Sequence, residues 1–547
     1  MMRSKTACLV VTVVAVYTIC FGYIAGGRHY AIIKRRTKAR RAREKGDVEA
    51  LQDATPQIQY GVLVIAGRFA NPFPEYRDQG VLDFIIWNFV KLLRFTPRGG
   101  VPRDRSVLRS MLPSFRPDYE VLFEQPNTSS DGRAKTTDSE SLLGHASPAG
   151  LSSSITSAMY SSSETGSSTN VVLDSLEHSW TAIPGNQVDN TSSNPQLSKL
   201  PSSIEVQSLP SSDAGSDRHS EPNSPISRPS GLLHHGPEIP SVSERLTVTW
   251  IGQSCMLVQC CGINFLTDPI FGESLINSYI GPQRLSPSPC QIEDLPTIDF
   301  VFISHNHPDH FEEAALKKIG NKATWVVGVG LRPYFSRRGV FKVIEMKWWE
   351  KIPVPGHEKD GWEIACTPAM HWAGRGIFDA NKSLWCSFMI LHHSRPVVFH
   401  AGDTGFSPEL FDGIAKVYGP GCELALVPCG AYEPRPHLRP LHCNPEEAIQ
   451  IMVTIGARRL IGVHWGTFVL SDEHFLEPKQ RLEKEATHMG LSDAVWAADF
   501  GRTVIIPYHP ELDAVEVDDE PALRLPDSRV SSIGPMIHVE GRDTIVW

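Results

Sequence analysis

Six residues constrain this chain more than any others. His305-Asn306-His307-Pro308-Asp309-His310 packs four metal-capable side chains into one short stretch. The apolar run Phe300-Val301-Phe302-Ile303 precedes it, and a helical pattern from Phe311 to Ile319, closed by Gly320, follows it. A short apolar run followed by a helical pattern reads as a strand that opens into a loop. Sheets of α/β proteins carry their chemistry at such carboxyl ends. Imidazole and carboxylate both suit zinc and other first-row ions. Ligand pairs this close together do not easily all serve one tetrahedral ion. The spacing therefore predicts two ions side by side, with His305 and His307 on one and Asp309 and His310 on the other.

Such a centre needs further ligands, and three residues stand in suitable places. His371 ends the run Trp362–Met370, Asp403 lies in Ala401-Gly402-Asp403-Thr404-Gly405 after a strand-like stretch, and His464 follows Leu460-Ile461-Gly462-Val463. Each alone reads more readily as a structural residue. Together with the dense motif they complete two sites, with Asp403 as the bridging carboxylate. Two cations about 3.5–4 Å apart can share a hydroxide and clamp both oxygens of a displacement. Zinc brings the pKa of bound water to about 7. The motif leaves open whether a carbonyl or a phosphorus is attacked.

The order of these ligands resembles that of the metallo-β-lactamase superfamily. Leu246-Thr247-Val248-Thr249-Trp250-Ile251-Gly252, Phe265-Leu266-Thr267-Asp268-Pro269-Ile270-Phe271, Ala431-Tyr432-Glu433-Pro434-Arg435 and His464-Trp465-Gly466-Thr467-Phe468 narrow the likeness. So do Gly67-Arg68-Phe69-Ala70-Asn71-Pro72-Phe73-Pro74 and Tyr279-Ile280-Gly281-Pro282. All resemble the N-acyl-phosphatidylethanolamine-hydrolysing phospholipase D family, over roughly residues 60–120 and 245–506. The resemblance implies an α/β fold, the four-layer αββα sandwich. It implies two Zn(2+) per chain on His305, His307, Asp309, His310, His371, Asp403 and His464. The implied reaction is in-line attack of a zinc-activated hydroxide on a membrane phospholipid, N-acyl-phosphatidylethanolamine, releasing N-acylethanolamine and phosphatidic acid. Asp309, Asp403 and His442 are the expected catalytic residues. Tyr279 and His442 are the expected substrate contacts, Asp268 is expected to orient a ligand histidine, and Arg435 and Arg439 are candidates for the phosphate. A homodimer follows from the resemblance alone. The chain departs from the family at Gly252-Gln253-Ser254, where the family has Gly-His-Ala, and at Leu441 and Met452. The competing reading is another hydrolase of this fold, acting on a broader phospholipid range, a lactone, a thioester or a nucleotide phosphodiester.

Composition organises the rest of the 547 residues. Residues 1–27 carry an apolar run, Ala7–Ala25, of about membrane-spanning length. Residues 28–59 open with Arg28, Lys34, Arg35, Arg36, Lys38, Arg40, Arg41, Arg43 and Lys45. The positive-inside rule then puts the body on the cytoplasmic side of a single-pass anchor, or on the matrix side in a mitochondrial membrane. The same basic block would meet anionic lipid headgroups. Residues 60–123 read as the first part of the folded body, with a helical pattern over Val81–Leu93. Residues 124–243 are rich in Ser, Thr, Pro, Asn and Gly, too poor in large apolar residues to offset ordering entropy, and read as a disordered insertion. Residues 244–508 form the catalytic domain, and 509–547 an acidic tail with little structure expected. A net charge of −9 with no basic face in the body argues against nucleic acid as a partner. The 11 scattered cysteines, without a Cys-x-x-Cys pair, read as reduced thiols.

Overall fold

A computed structural model describes residues 2–45, 55–77, 98–124, 239–277, 279, 281–376, 379–508, 536–539 and 541–547. The expected insertion and the helical pattern at Val81–Leu93 lie largely or wholly outside the described residues.

Two sheets face each other. The first is built from β3 (Arg245–Gly252), β4 (Cys255–Cys260), β5 (Ile263–Thr267), β6 (Phe300–Ile303), β7 (Thr324–Gly328) and β8 (Val343–Met346), which neighbour one another in chain order. The second runs from β9 (Lys351–Pro353) through β10 (Trp362–Thr367), β11 (Ser387–His392), β12 (Arg395–His400), β13 (Leu424–Pro428) and β14 (Arg459–Val463) to β15 (Val495–Ala497). Before both comes a hairpin of β1 (Leu63–Ile65) and β2 (Arg68–Ala70). Strand β16 (Thr503–Pro507) returns antiparallel to β3 on the first sheet.

The alternation of strand side chains explains the layers. On β6, Phe300 and Phe302 join the core between the sheets, and Phe302 stacks on Phe388 of β11 with ring centroids 4.8 Å apart. Val301 and Ile303 point the other way, into a second core with Phe311, Ala315, Leu316 and Ile319. The last three lie on a helix, Glu313–Ile319. On the far side, the helices Pro408–Tyr418, Pro445–Ile455 and Glu477–His488 bury Leu410, Phe411, Ile414, Ile449, Ile451 and Leu482 against the second sheet. Helix Pro445–Ile455 starts at a capping box of Asn444 and Glu447, with Pro445 at its first position, and ends at Gly456 with φ +69°. The result is an αββα sandwich.

Strand direction decides where loops meet. Strands β3 and β5 both run antiparallel to β4, and β6 is parallel to β5. In the second sheet β10 and β12 are both antiparallel to β11, and β13 and β14 continue parallel to β12. The carboxyl ends of β3, β5 and β6 therefore share one edge of the first sheet, and those of β10, β12, β13 and β14 share one edge of the second.

The N-terminal region differs from expectation. One continuous helix, α1, covers Met2–Lys45. Its residues 28–42 place Arg28, Ile32, Arg35, Ala39 and Ala42 on one stripe, and Ile32, Ala39 and Ala42 are buried. Arg28 donates to the Phe73 carbonyl, Arg35 to the carbonyls of Gly61 and Val62, and Arg36 pairs with Glu409. Part of the basic block expected at lipid headgroups thus serves protein contacts, because its apolar stripe packs on the body. Within the Ala7–Ala25 run the backbone is helical, and the side chains of residues 7–11, 13, 14 and 17 lie outside the described residues. Among the described residues no helix is long and apolar enough to cross a membrane.

The tail also corrects the expectation of little structure. Strands β17 (Ile537–His538) and β18 (Thr544–Val546) extend the first sheet, with β18 parallel to β16. Ile545 and Trp547 are buried, and Thr544 donates to Asp118. An apolar Thr-Ile-Val-Trp end has somewhere to go once β16 offers an edge. Every cysteine whose side chain is described is free.

Arg245 brings the two sides of the insertion together: it pairs with Glu124 at 2.8 Å and donates to the Pro240 carbonyl at 2.8 Å. The chain can thus be rejoined over a short distance. Replacing residues 130–232 by a short Gly/Ser linker should leave the thermal midpoint within a few degrees and the metal content unchanged. A large drop in the midpoint would show that the segment is part of the folded core.

Candidate metal centre

The shared edges collect the ligand residues. His305–His310 follow β6, His371 follows β10, Asp403 follows β12, His464 follows β14, and His442 lies between β13 and the helix Pro445–Ile455. Close approach of these loops depends on small residues. At Gly402, φ is +57°, and a Cβ there would come within 2.6 Å of the Ser304 Cβ.

Two groups of four donor atoms result, each with all atoms within 4.8 Å of one another: His305, His307, His371 and Asp403, then Asp309, His310, Asp403 and His464. All are buried. Asp403 belongs to both. Its Oδ2 lies 3.9 Å from His305 Nε2, 3.7 Å from His371 Nε2 and 3.1 Å from His310 Nε2, and its Oδ1 lies 3.2 Å from His464 Nε2. In the first group His307 Nδ1 is 2.7 Å from His305 Nε2 and 3.2 Å from His371 Nε2. In the second, Asp309 Oδ2 is 3.3 Å from His464 Nε2 and 3.6 Å from His310 Nε2. The four donor residues of the opening motif therefore divide two and two between the groups.

Supporting contacts fix which imidazole nitrogen faces inward. The His310 Nδ1–H donates to Asp268 Oδ2 at 2.9 Å, which leaves Nε2 for the centre. Asp268 also accepts from the Ser304 N–H and hydroxyl and from His400 Nε2. His371 Nδ1 donates to the Leu441 carbonyl, and the His371 carbonyl accepts from Asn71. Arg375 holds the motif loop from outside by donating to the carbonyls of Asn306 and Phe311.

Electrostatics favour cation binding. Burial raises the pKa of Asp403, but His310, His464 and His442 outweigh it and hold the carboxyl well below the usual range. Asp309 is likewise lowered, chiefly by His310 and His464 against its burial. Burial drives His307 down to about 4 and His371 to about 3, so both stay neutral and keep a lone pair at neutral pH. Burial opposes charge on His310 and His464 too, but Asp403 and Asp309 overcome it and raise both, His464 to about 9. Asp403 Oδ1 is buried and accepts no hydrogen bond. Borderline metal ions fit this donor set of imidazoles and carboxylates.

The other expected site residues fare differently. His442 stands beside the centre, its Nδ1 3.8 Å from Asp403 Oδ2 and its ring 5.1 Å from that of His371. Burial lowers its pKa to about 3, and its Nδ1 has no hydrogen-bond partner. Tyr279 is 95% exposed, and its N–H donates to the Asn277 side chain. Nothing in its contacts brings it to the metal groups. Arg435 grips Glu447 through two 2.7 Å bonds and donates to the His442 carbonyl, while Arg439 lies 3.6 Å from Glu447. Both arginines thus meet the Glu447 carboxylate. Gln253, Asn71 and Arg375 were not legible as site residues, because each reaches the centre from far along the chain. The one signal was Gln253 itself, at the position where the chain departs from the family pattern.

Fold and donor groups together define a metal-dependent hydrolase of the metallo-β-lactamase type. The model of the Beta-lactamase superfamily domain matches residues 263–465. A relative from Saccharomyces cerevisiae, named N-acyl-phosphatidylethanolamine-hydrolyzing phospholipase D, mitochondrial, is 35% identical over 448 residues, 82% of this chain and 77% of that one. The N-acyl-phosphatidylethanolamine-hydrolyzing phospholipase D 1 of Caenorhabditis elegans is 36% identical over 249 residues, 44% of this chain and 69% of that one. Among solved structures, the metallo hydrolase Igni18 from Ignicoccus hospitalis overlaps 48% of this chain and all of its own, at 22% identity and a TM-score of 0.36. The chain belongs to the N-acyl-phosphatidylethanolamine-hydrolysing phospholipase D family.

The ligand assignment predicts metal content. His305→Ala should reduce the metal held per chain by opening the first group, and His464→Ala by opening the second. Asp403→Asn should reduce it further than either, because it touches both. Asp268→Asn should weaken uptake about 10–100-fold without removing a ligand. Elemental analysis of purified protein after dialysis reads all four, and full occupancy in the histidine variants would overturn the assignment.

Proposed function

We propose that this protein is a membrane-bound phospholipase D-type phosphodiesterase that hydrolyses N-acyl-phosphatidylethanolamine to N-acylethanolamine and phosphatidic acid, with two zinc ions per chain. The observation that carries the reading is the sharing of Asp403 by two four-atom donor groups, in a chain of this family. His305, His307, His371 and Asp403 would hold one ion, and Asp309, His310, His464 and Asp403 the other. When bound, such a pair supplies Lewis acidity toward phosphoryl oxygens and makes a nucleophile from water near neutral pH.

The chain's own residues do the rest. Asp268 and Ser304 lock His310 and the motif loop, so the donor atoms are in place before substrate arrives. Asn71 and the Leu441 carbonyl do the same for His371. His442 carries an unpaired ring nitrogen into the site and is half of a proton path: it can donate an N–H to a phosphate oxygen, or pass a proton between water and the leaving alkoxide. The buried walls exclude water from the donor groups and strengthen each of these contacts.

A lipid substrate fits an anchored enzyme, since confinement to a surface raises effective concentration. Residues 7–25 are the proposed anchor, and Val16, Ile19 and Tyr23 stand exposed on α1. The exposed Lys34, Arg41 and Arg43 can meet anionic headgroups. The S. cerevisiae relative's name supports a mitochondrial location, and for an anchor in a mitochondrial membrane the positive-inside rule would put the body on the matrix side.

The test is product analysis by mass spectrometry on detergent-solubilised protein, with N-acyl-phosphatidylethanolamine and phosphatidylcholine as separate substrates. N-acylethanolamine and phosphatidic acid should appear with the unaltered chain, and the rate should fall by at least about 100-fold in Asp403→Asn. Equal turnover of phosphatidylcholine would mean a broader phospholipase D. No turnover of either by metal-loaded protein would point to another hydrolase chemistry on this fold.

A further inference from the structure

Resting on the two-ion reading above, we propose that Gln253 is an additional ligand of the second donor group, presenting its side-chain amide oxygen to the ion held by Asp309, His310, Asp403 and His464. Gln253 occupies the turn between β3 and β4, at the shared edge. Its backbone is clamped in an unusual conformation. The φ is +52°, a region that side chains other than glycine rarely adopt. The N–H donates to Thr467 Oγ1 at 2.7 Å, and the carbonyl accepts from the Trp250 indole at 2.8 Å and from the His464 N–H at 3.0 Å. Three contacts hold a strained residue in place, and what they aim is the amide. The side chain is 1% exposed, and its terminal nitrogen lies 2.8 Å from Asp309 Oδ2 and 2.7 Å from His464 Nε2.

Those two atoms are themselves donors of the second group. Once a cation takes the lone pair of His464 Nε2, an NH2 group at the same spot faces positive charge and keeps only Asp309 Oδ2 to accept its proton. A half-turn of the amide exchanges nitrogen for oxygen without moving any other atom. Turned inward, the oxygen end offers a lone pair at the rim of the coordination shell, where the nitrogen offers none. The second ion would have five protein donors, three of them oxygen-bearing side chains. The first would have four, three of them imidazoles. Oxygen-rich sets suit harder ions and higher coordination numbers, whereas imidazole sets suit zinc. The two sites are thereby unequal, by the choice of one residue in a turn.

A weaker role would be an N–H from Gln253 that merely holds Asp309. The two roles separate by substitution. Gln253→Glu removes the donor and keeps the oxygen, while Gln253→Met removes both at similar length. Metal-free, full-length protein in detergent would be titrated with Co(II), read by visible absorption and by competition with a chelator. The unaltered chain should take up two ions. Gln253→Met should weaken the second by about tenfold or more, intensify its absorption as the coordination number falls, and leave the first unchanged. Gln253→Glu should retain or tighten the second ion. Equal weakening in both variants would overturn ligation in favour of simple N–H donation. Superimposable titrations of Gln253→Met and the unaltered chain, or equal loss at both sites, would overturn it too. If Gln253→Met does not fold, Gln253→Glu decides alone, since weakened uptake there contradicts an oxygen ligand. Uptake of a single ion by the unaltered chain would instead overturn the two-ion reading.

Discussion

Burying two carboxylates side by side is the constraint on which this structure depends. Asp309 and Asp403 belong to one donor group, buried in loops at the sheets' shared edges, and like charges so placed repel. Only a dense positive or cation-binding surround makes the arrangement stable. The chain answers with imidazoles from four loops, of which His310 and His464 gain charge from the carboxylates while His307 and His371 stay neutral. A cation supplies the same compensation more completely, and the neutral rings keep lone pairs for it. Folding and metal binding are therefore linked: anything that loosens one loop exposes the carboxylates' repulsion to the others.

That link explains why the supporting contacts are so many. Asp268 meets Ser304, His310 and His400 at once, so one carboxylate fixes both the start of the motif loop and the tautomer of a ligand. Gly402 permits the Asp403 loop to lie against Ser304, and a single Cβ there would separate them. Strand direction does the larger work. Because β6, β10, β12 and β14 end at facing edges, no ligand has to reach far, and short side chains such as Asp403 suffice.

Much of this was legible along the chain. The metal residues announce themselves by type and by position after apolar runs, and the helix at Pro445–Ile455 by Asn444, Pro445 and Gly456. The helix at Pro408–Tyr418 carries comparable signals, with Ser407-Pro408-Glu409 and Gly419 at its ends and Leu410, Phe411, Ile414 and Tyr418 on its buried side. Strands β9 and β15 were missed: three residues each carry no period, and only their neighbours define them. The end of the chain was read as a tail because the acidic stretch before it hides Thr544–Trp547, whose strand is defined by its pairing with β16 and β17. The pairing of Arg435 and Arg439 with Glu447 was not legible either, since a sequence shows the charge and not its partner.

The same non-locality gives the N-terminal segment its importance. The insertion separates residues 55–124 from the catalytic domain in sequence, but not in the fold. Arg28 of α1 holds the Phe73 carbonyl, and two residues earlier Asn71 holds the carbonyl of the ligand His371. Trp349 donates to the Tyr60 carbonyl, and Tyr60 itself bonds Glu409 on the helix behind the second sheet. A run of direct contacts thus joins the C-terminal half of α1 to one wall of the metal centre. The helix cannot swing freely relative to the site, because the arginines on its stripe are engaged by carbonyls that a flexible tether would leave to water. The direction of α1 relative to the metal edge is thereby set by side-chain contacts of the fold.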